Sequence, residues 1–322
     1  MACIELSPLR FSPYLKNVIW GGKKICEYKK IPQPIDNIGE SWEISAMPGS
    51  ESIVSEGVYE GKPLSWLIEN FGVSLLGTKV VENYGYHFPL LIKFIDANDN
   101  LSIQVHPNDE LARNRHNSLG KTEMWYVIST EKNAKIYSGF NSRLTPEDYE
   151  SRIKEGNFLE TIASYNSKPG DVYFLPAGRV HAIGSGNFLA EIQEASDITY
   201  RIFDYNRKDK NGKQRELHTE LAKNAIDYNS DEKSRLQTSE LKEIEELVKC
   251  EHFTTHRMKI NGIKKLELDG STFMVIICIE GKIKIKGTDG EVTITSGHTA
   301  LLPAVIGKFQ IEGKATVLTS VV

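Results

Sequence analysis

Short runs rich in β-branched and aromatic residues recur along this 322-residue chain, set off by Gly, Asn and Asp. They include PLLIKFIDA (89–97), LSIQVHP (101–107), EMWYVIS (123–129), DVYFLP (171–176), FLAEIQEA (188–195), FMVIICIEGKIKIKG (273–287) and EVTITSG (291–297). Runs of this length and makeup predict strands. Their number and spacing predict a mainly β sandwich or barrel. Helical patterning is sparser. PLSWLIENFG (63–72) has helical apolar spacing and a glycine stop. In LTPEDYESRIKEG (144–156), Thr145 reads as an N-cap, Pro146 as the first helical residue and Gly156 as the stop. Residues 213–227 and 239–248 also read as amphipathic helices. Between these lies NSDEKSRLQTSE (229–240), polar and poor in apolar residues. It predicts a boundary between domains of residues 1–230 and 231–322, the alternative being a long surface loop inside one domain.

The pattern repeats at long range. GDVYFLPAGRVH (170–181) and GHTALLPAVIGK (297–308) share G-x-x-x-x-L-P-A at identical spacing, and KTEMWYVIS (121–129) has a weaker echo in STFMVIICI (271–279). Two copies of one β-barrel unit would produce this. The alignment sets Glu123 against Phe273 and His181 against Lys308, so polar candidates stand in the first copy and not in the second.

Those candidates start with SIQVHP. In a strand, residues two apart share a face, so Gln104 and His106 face one side, with Ile103 and Val105 on the other. Polar side chains facing a core are costly unless something there binds them. Glu123 begins another predicted strand, and His181 follows the Pro-Ala-Gly turn. Two imidazoles, a carboxylate and an amide oxygen suit a borderline divalent ion such as Zn²⁺, with remaining positions left to water or substrate. Taken singly, each residue has a plainer reading: a hydrogen-bonded histidine or a solvated strand-end charge.

Composition narrows the class further. Apolar content of 40% and charged content of 25% suit a soluble globular protein, and a net charge of −4 gives no case for nucleic acid or an anionic membrane. The four cysteines, Cys3, Cys26, Cys250 and Cys278, have no C-x-x-C spacing, as expected of reduced thiols in a cytoplasm. No signal-peptide h-region and no run of 18 apolar residues stands out. The expectation is a cytoplasmic protein, a monomer or weak homodimer. No G-x-G-x-x-G follows a strand, and WGGKK (20–24) and Gly184-Ser185-Gly186 are too short for phosphate loops.

The metal motif resembles that of the cupin superfamily. More narrowly, SIQVHPNDELA, GKTEMWYVI, PAGRVHAIGSG and LAEIQEASDITYRIFDYNR, with WGG (20–22) and GESWEIS (39–45), are similar to the motifs of type I mannose-6-phosphate isomerases, compact bacterial branch. They span about residues 18–207; the last 90 residues match only in general character. The resemblance implies two cupin-type (jelly-roll) β-barrels with a few helices inserted, the second metal-free. It implies a zinc-dependent interconversion of mannose 6-phosphate and fructose 6-phosphate through an enediol, with one zinc per chain. Family zinc ligands fall on Gln104, His106, Glu123 and His181, and other active-site positions on Lys93, Ser102, Lys121, Glu191, Asp197 and Arg201.

Chemistry suggests roles for these. Arg201 would stabilise enediol charge. Lys121, two residues from Glu123, would share its face and carry a proton or hold a sugar oxygen, while Glu191 and Asp197 are further proton-handling candidates. Ser102, in line with Gln104 and His106, and Lys93 are the candidates for binding the phosphate. Lys93 interrupts the apolar LLIKFI, where a dianionic phosphate or a salt bridge to Asp96 or another carboxylate would compensate it. Rival readings are a cupin isomerase for glucose 6-phosphate, a metal-dependent oxygenase, a sugar-binding or regulatory cupin, and a storage protein. Oxygenase cupins present more histidines, and a binding module could dispense with Lys121 and Arg201.

Overall fold

Three antiparallel sheets account for the chain's strands in the computed structural model, which describes residues 6–33, 35–208, 211–229, 235–238 and 242–322. The first sheet has seven strands, in the order Arg235–Gln237, Asp171–Leu175, Glu123–Thr130, Asn187–Glu194, Leu90–Ala97, Ile38–Ile44 and Tyr14–Gly22. The second has five, in the order Tyr200–Phe203, Ile103–Val105, His181–Ile183, Lys135–Phe140 and Ile162–Asn166. The third has eight and draws mainly on the C-terminal residues, with Thr254–Glu267, Lys308–Val321 and Met274–Lys286 at its centre. It also recruits Leu9–Ser12, which pairs with His298–Leu302 through Leu9↔Leu301.

Strand alternation sorts the side chains into layers. From Leu90–Ala97, residues Leu90, Ile92 and Phe94 join a large core that includes Val275, Ile277, Leu301 and Leu318 of the eight-stranded sheet. The intervening Ile95 and Ala97 face the other way, into a core with Trp125, Leu189 and Ile183 between the seven- and five-stranded sheets. Ile103 and Val105 pack outward against Tyr149 and Phe158. That leaves Ser102, Gln104 and His106 pointing inward, as the SIQVHP pattern predicts. Sequence-predicted strands at 89–97, 123–129, 171–176, 188–195, 273–287 and 291–297 are all found with shifts of a residue or two at their ends, and 101–107 is trimmed to Ile103–Val105.

The predicted helix at 63–72 forms over Leu64–Phe71. That at 144–156 forms over Pro146–Glu155 with a full capping box, Thr145 Oγ1 accepting from Asp148 N–H and Asp148 accepting from Thr145 N–H. Two helical expectations fail. Residues 239–248 were expected to be helical, yet Ile244–Lys249 is a strand paired with Thr254–Glu267; residues 239–241 lie outside the described set. A bulge between Glu246 and Val248 puts the adjacent Leu247 and Val248 both in the core, which mimics helical spacing in the sequence. Of 213–227, only Thr219–Lys223 is helical. Residues 213–218 are irregular, held by His218 N–H donating to Arg201 O and by Arg215 forking onto Asp204. Within the expected boundary at 229–240, Arg235–Gln237 is a strand on the edge of the seven-stranded sheet, while residues 230–234 and 239–240 lie outside the described set.

The internal repeat has a structural counterpart. Asp171–Leu175 pairs antiparallel with Glu123–Thr130, and His298–Leu302 with Met274–Lys286. The glycines that open the two copies, Gly170 and Gly297, have φ of +86° and +82°, a conformation that glycine enters at low cost. The register differs by one residue: Leu175 faces Glu123, whereas Leu302 faces Met274 rather than Phe273.

Candidate active site and metal centre

The two smaller sheets meet at a cavity of about 350 Å³ whose wall includes Lys93, Ser102, Gln104, Lys121, Glu191, Asp197 and Arg201. Register explains how distant residues arrive there. In the five-stranded sheet, Gln104 lies directly across from His181 on one side and Arg201 on the other. In the seven-stranded sheet, Glu191 lies across from both Lys93 and Trp125, and Gln193 across from Glu123. Each sheet thus contributes a row of polar side chains to the shared interior.

His106, Glu123 and His181 are fully buried, and their ligand atoms gather within 4.8 Å. The Nε2 atoms of the two histidines are 3.2 Å apart, and His181 Nε2 is 3.2 Å from Glu123 Oε1. Tetrahedral ligands at about 2.0–2.1 Å from one zinc ion stand about 3.3 Å from each other. Each ring donates its Nδ1–H to a backbone carbonyl, His106 to Ile198 O and His181 to Arg179 O, both at 2.8 Å. That fixes the tautomer with the Nε2 lone pair turned inward. Burial holds both rings neutral, pulling His106 well below the usual imidazole range and His181 down to about 3. Glu123 Oε1 is buried and completes no hydrogen bond. Gln104 lies 3.3 Å from His181 Nε2 through its amide, and a half-turn of that amide presents the oxygen. The donor set fits a borderline divalent cation without rearrangement of the backbone.

A chain of charges surrounds this cluster. Lys121 Nζ bonds Glu123 Oε2 and lies 3.2 Å from His106 Nε2. Burial pushes the Glu123 carboxyl up to about 7, against the pull of Lys121. Glu191 behaves in the opposite way. Burial works to raise it, but Lys93 at 3.0 Å, Lys121 at 3.9 Å and the Trp125 indole N–H at 2.8 Å outweigh that and hold it at about 2. Lys93 does not use Asp96, whose carboxylate takes Lys24 N–H instead. Its partners are Glu191 and, at 3.7 Å, Glu40. Burial opposes its charge, yet Glu191, Glu40 and Asp197 raise it above the ordinary lysine value.

Ser102 donates to Gln104 Oε1 at 3.3 Å. Asp197 is exposed at the rim, 3.4 Å from Lys16. The Arg201 guanidinium gives one N–H to Glu216 O at 2.9 Å and keeps a buried Nε with no hydrogen-bond partner. The ten sequence-predicted residues therefore share one site. Sequence reading passed over Lys16, Trp20, Glu40, Thr199 and Arg215, which also line the cavity. WGG and GESWEIS were the available signals, since Trp20 and Glu40 stand inside them.

Comparison with known proteins points the same way. Residues 9–134 match the catalytic domain of type I phosphomannose isomerase, and residues 243–322 match the cupin domain of mannose-6-phosphate isomerase. Mannose-6-phosphate isomerase ManA of Bacillus subtilis (strain 168) is 36% identical over 317 residues, covering 97% of this chain and 98% of that protein. The chain belongs to the type I phosphomannose isomerase family. Another member, from Streptococcus mutans, is 32% identical over 97% of this chain and 98% of its own length. The crystal structure of mannose 6-phosphate isomerase from Bacillus subtilis superposes with a TM-score of 0.86 at 34% identity, over 98% of this chain and 99% of that one. Sequence motifs alone carried the resemblance only to about residue 207; the family match extends it through the C-terminal sheet. No helix among the described residues is long and apolar enough to cross a membrane.

Proposed function

We propose that this phosphomannose isomerase interconverts mannose 6-phosphate and fructose 6-phosphate, with one zinc ion held for catalysis by Gln104, His106, Glu123 and His181. The observation that carries this reading is the convergence of two neutral imidazoles and a carboxylate on one point in a cavity lined by catalytic-type charges. When bound, zinc supplies a Lewis acid that stabilises negative charge developing on the sugar oxygens.

The chain's own residues do the rest. Lys121, beside the ligands, holds a sugar oxygen or carries the proton that moves between C1 and C2. Arg201 has an unspent Nε–H, and its guanidinium stabilises the enediol charge. Glu191, kept ionised near pH 2 and above, orders Lys93 and Lys121 rather than accepting a proton itself. Asp197 at the rim remains accessible for proton handling. Ser102 and Lys93 bind the phosphate, with Arg215 as a further cation on the cavity wall. A binding module would have no use for Lys121 beside the ligands, which disfavours that alternative.

A panel assay tests the reading. Purified protein is given mannose 6-phosphate, glucose 6-phosphate and ribose 5-phosphate, and ketose formation is followed. Turnover of mannose 6-phosphate well above the other two is expected. Zinc binding without turnover of any sugar phosphate would make the cavity a recognition site.

A further inference from the structure

A second ligand cluster lies on the opposite face of the strand that carries Glu191. Asp109, Glu194 and His252 bring their ligand atoms within 4.8 Å of one another. Asp109 opens the helix Asp109–His116, Glu194 ends the strand Asn187–Glu194, and His252 lies in the turn between Ile244–Lys249 and Thr254–Glu267 of the eight-stranded sheet. Glu194 is 1% exposed. Its Oε2 accepts Thr122 N–H at 2.6 Å, and Asp109 Oδ1 accepts Gly120 N–H at 2.7 Å.

The remaining atoms are unusual. Glu194 Oε1 and His252 Nδ1 are 3.2 Å apart, yet both are buried and neither completes a hydrogen bond. Two buried ligand atoms this close with no hydrogen bond completed have the spacing of ligands on one cation, where tetrahedral bonds of about 2.0–2.1 Å set them about 3.3 Å apart. Among the described residues, His252 is the ion-pair partner of Glu194, and no lysine or arginine pairs with either carboxylate. A buried carboxylate without a cation is costly. The His252 side chain is 16% exposed, which leaves an entry path.

We propose that Asp109, Glu194 and His252 form a second site for a divalent cation of the zinc type, one that ties the seven-stranded sheet to the eight-stranded sheet. The fourth position falls to water. The site uses none of the residues assigned to catalysis and does not depend on the isomerase reading.

The test is metal stoichiometry. Full-length wild type, His252→Ala and His181→Ala are dialysed against excess zinc, freed of unbound metal and measured by elemental analysis, with isomerase activity assayed in parallel. About two zinc ions per chain are expected in wild type and about one in each variant. His252→Ala keeps its activity and His181→Ala loses it. Glu194→Gln, which preserves side-chain shape, should match His252→Ala in metal content. A wild type that holds about one ion, or a His252→Ala chain that binds as much zinc as wild type, overturns the proposal. Two ions without turnover would leave this site standing and remove the isomerase reading instead.

Discussion

Replacing Glu191 with Gln removes one negative charge from the most tightly paired part of the cavity wall. In the native protein the Glu191 carboxyl is held at about 2, against an ordinary value of 4.5. At 1.36 kcal/mol per pH unit, that gap amounts to roughly 3 kcal/mol of stability near neutral pH. Structure gives the same scale independently. Lys93 is 5% exposed at its side chain, and among the described residues the loss of Glu191 leaves it only Glu40, at 3.7 Å, as an ion-pair partner. Stranding one member of a buried pair costs about 3–5 kcal/mol. The sign of the pH dependence follows from the direction of the shift. A carboxyl depressed in the folded state contributes stability above its unfolded pKa, here 4.5, and loses that contribution as pH falls toward about 2. Urea unfolding of wild type and Glu191→Gln should therefore differ by roughly 3 kcal/mol at pH 7, and by less than half of that near pH 3. Equal stability at pH 7, or a difference that does not narrow on acidification, would refute the claim that Glu191 serves as a permanently ionised anchor.

Two further outcomes follow. Arg201→Ala removes a donor aimed at developing charge, so kcat for mannose 6-phosphate should fall about 10²–10³-fold with a smaller change in KM; an effect confined to KM would make Arg201 a binding residue instead. Ile277, fully buried in the core shared by the seven- and eight-stranded sheets, should cost about 2–5 kcal/mol on replacement with Ala. Unfolding by urea reads that cost, and a loss under about 1 kcal/mol would mean that the two sheets do not depend on this contact.

Much of the site is written locally in the chain. Ile103 and Val105 pack outward while Gln104 and His106 point into the cavity, because a period of two leaves a strand little choice. Lys121, just before the strand Glu123–Thr130, turns its ammonium onto Glu123, and Glu194 falls on the opposite face from Glu191 within the one strand Asn187–Glu194. What escaped the sequence depends on pairing between distant segments. Glu40 reaches Lys93 because the strand Ile38–Ile44 lies beside Leu90–Ala97, and nothing local announces that neighbour. Arg215 lines the cavity with its guanidinium forked onto Asp204, in a stretch without helix where periodicity alone suggested one. The segment expected as a helix near residue 245 is a strand because Glu245 pairs with buried Arg257 across the ladder and a bulge disrupts the alternation. Tertiary pairing overrode local preference there.

The most direct test of the central claim couples metal to turnover at the His106–Glu123–His181 cluster. Wild type and His181→Ala are stripped with a chelator, then titrated with zinc while mannose 6-phosphate conversion is followed. Stripped wild type should be inactive and recover on addition of zinc. Removing a direct ligand should weaken zinc binding at least as much as the about 100-fold expected for losing a supporting contact, so His181→Ala stays inactive over the same titration. Full activity in zinc-free wild type, or recovery of His181→Ala alongside wild type, would contradict the account.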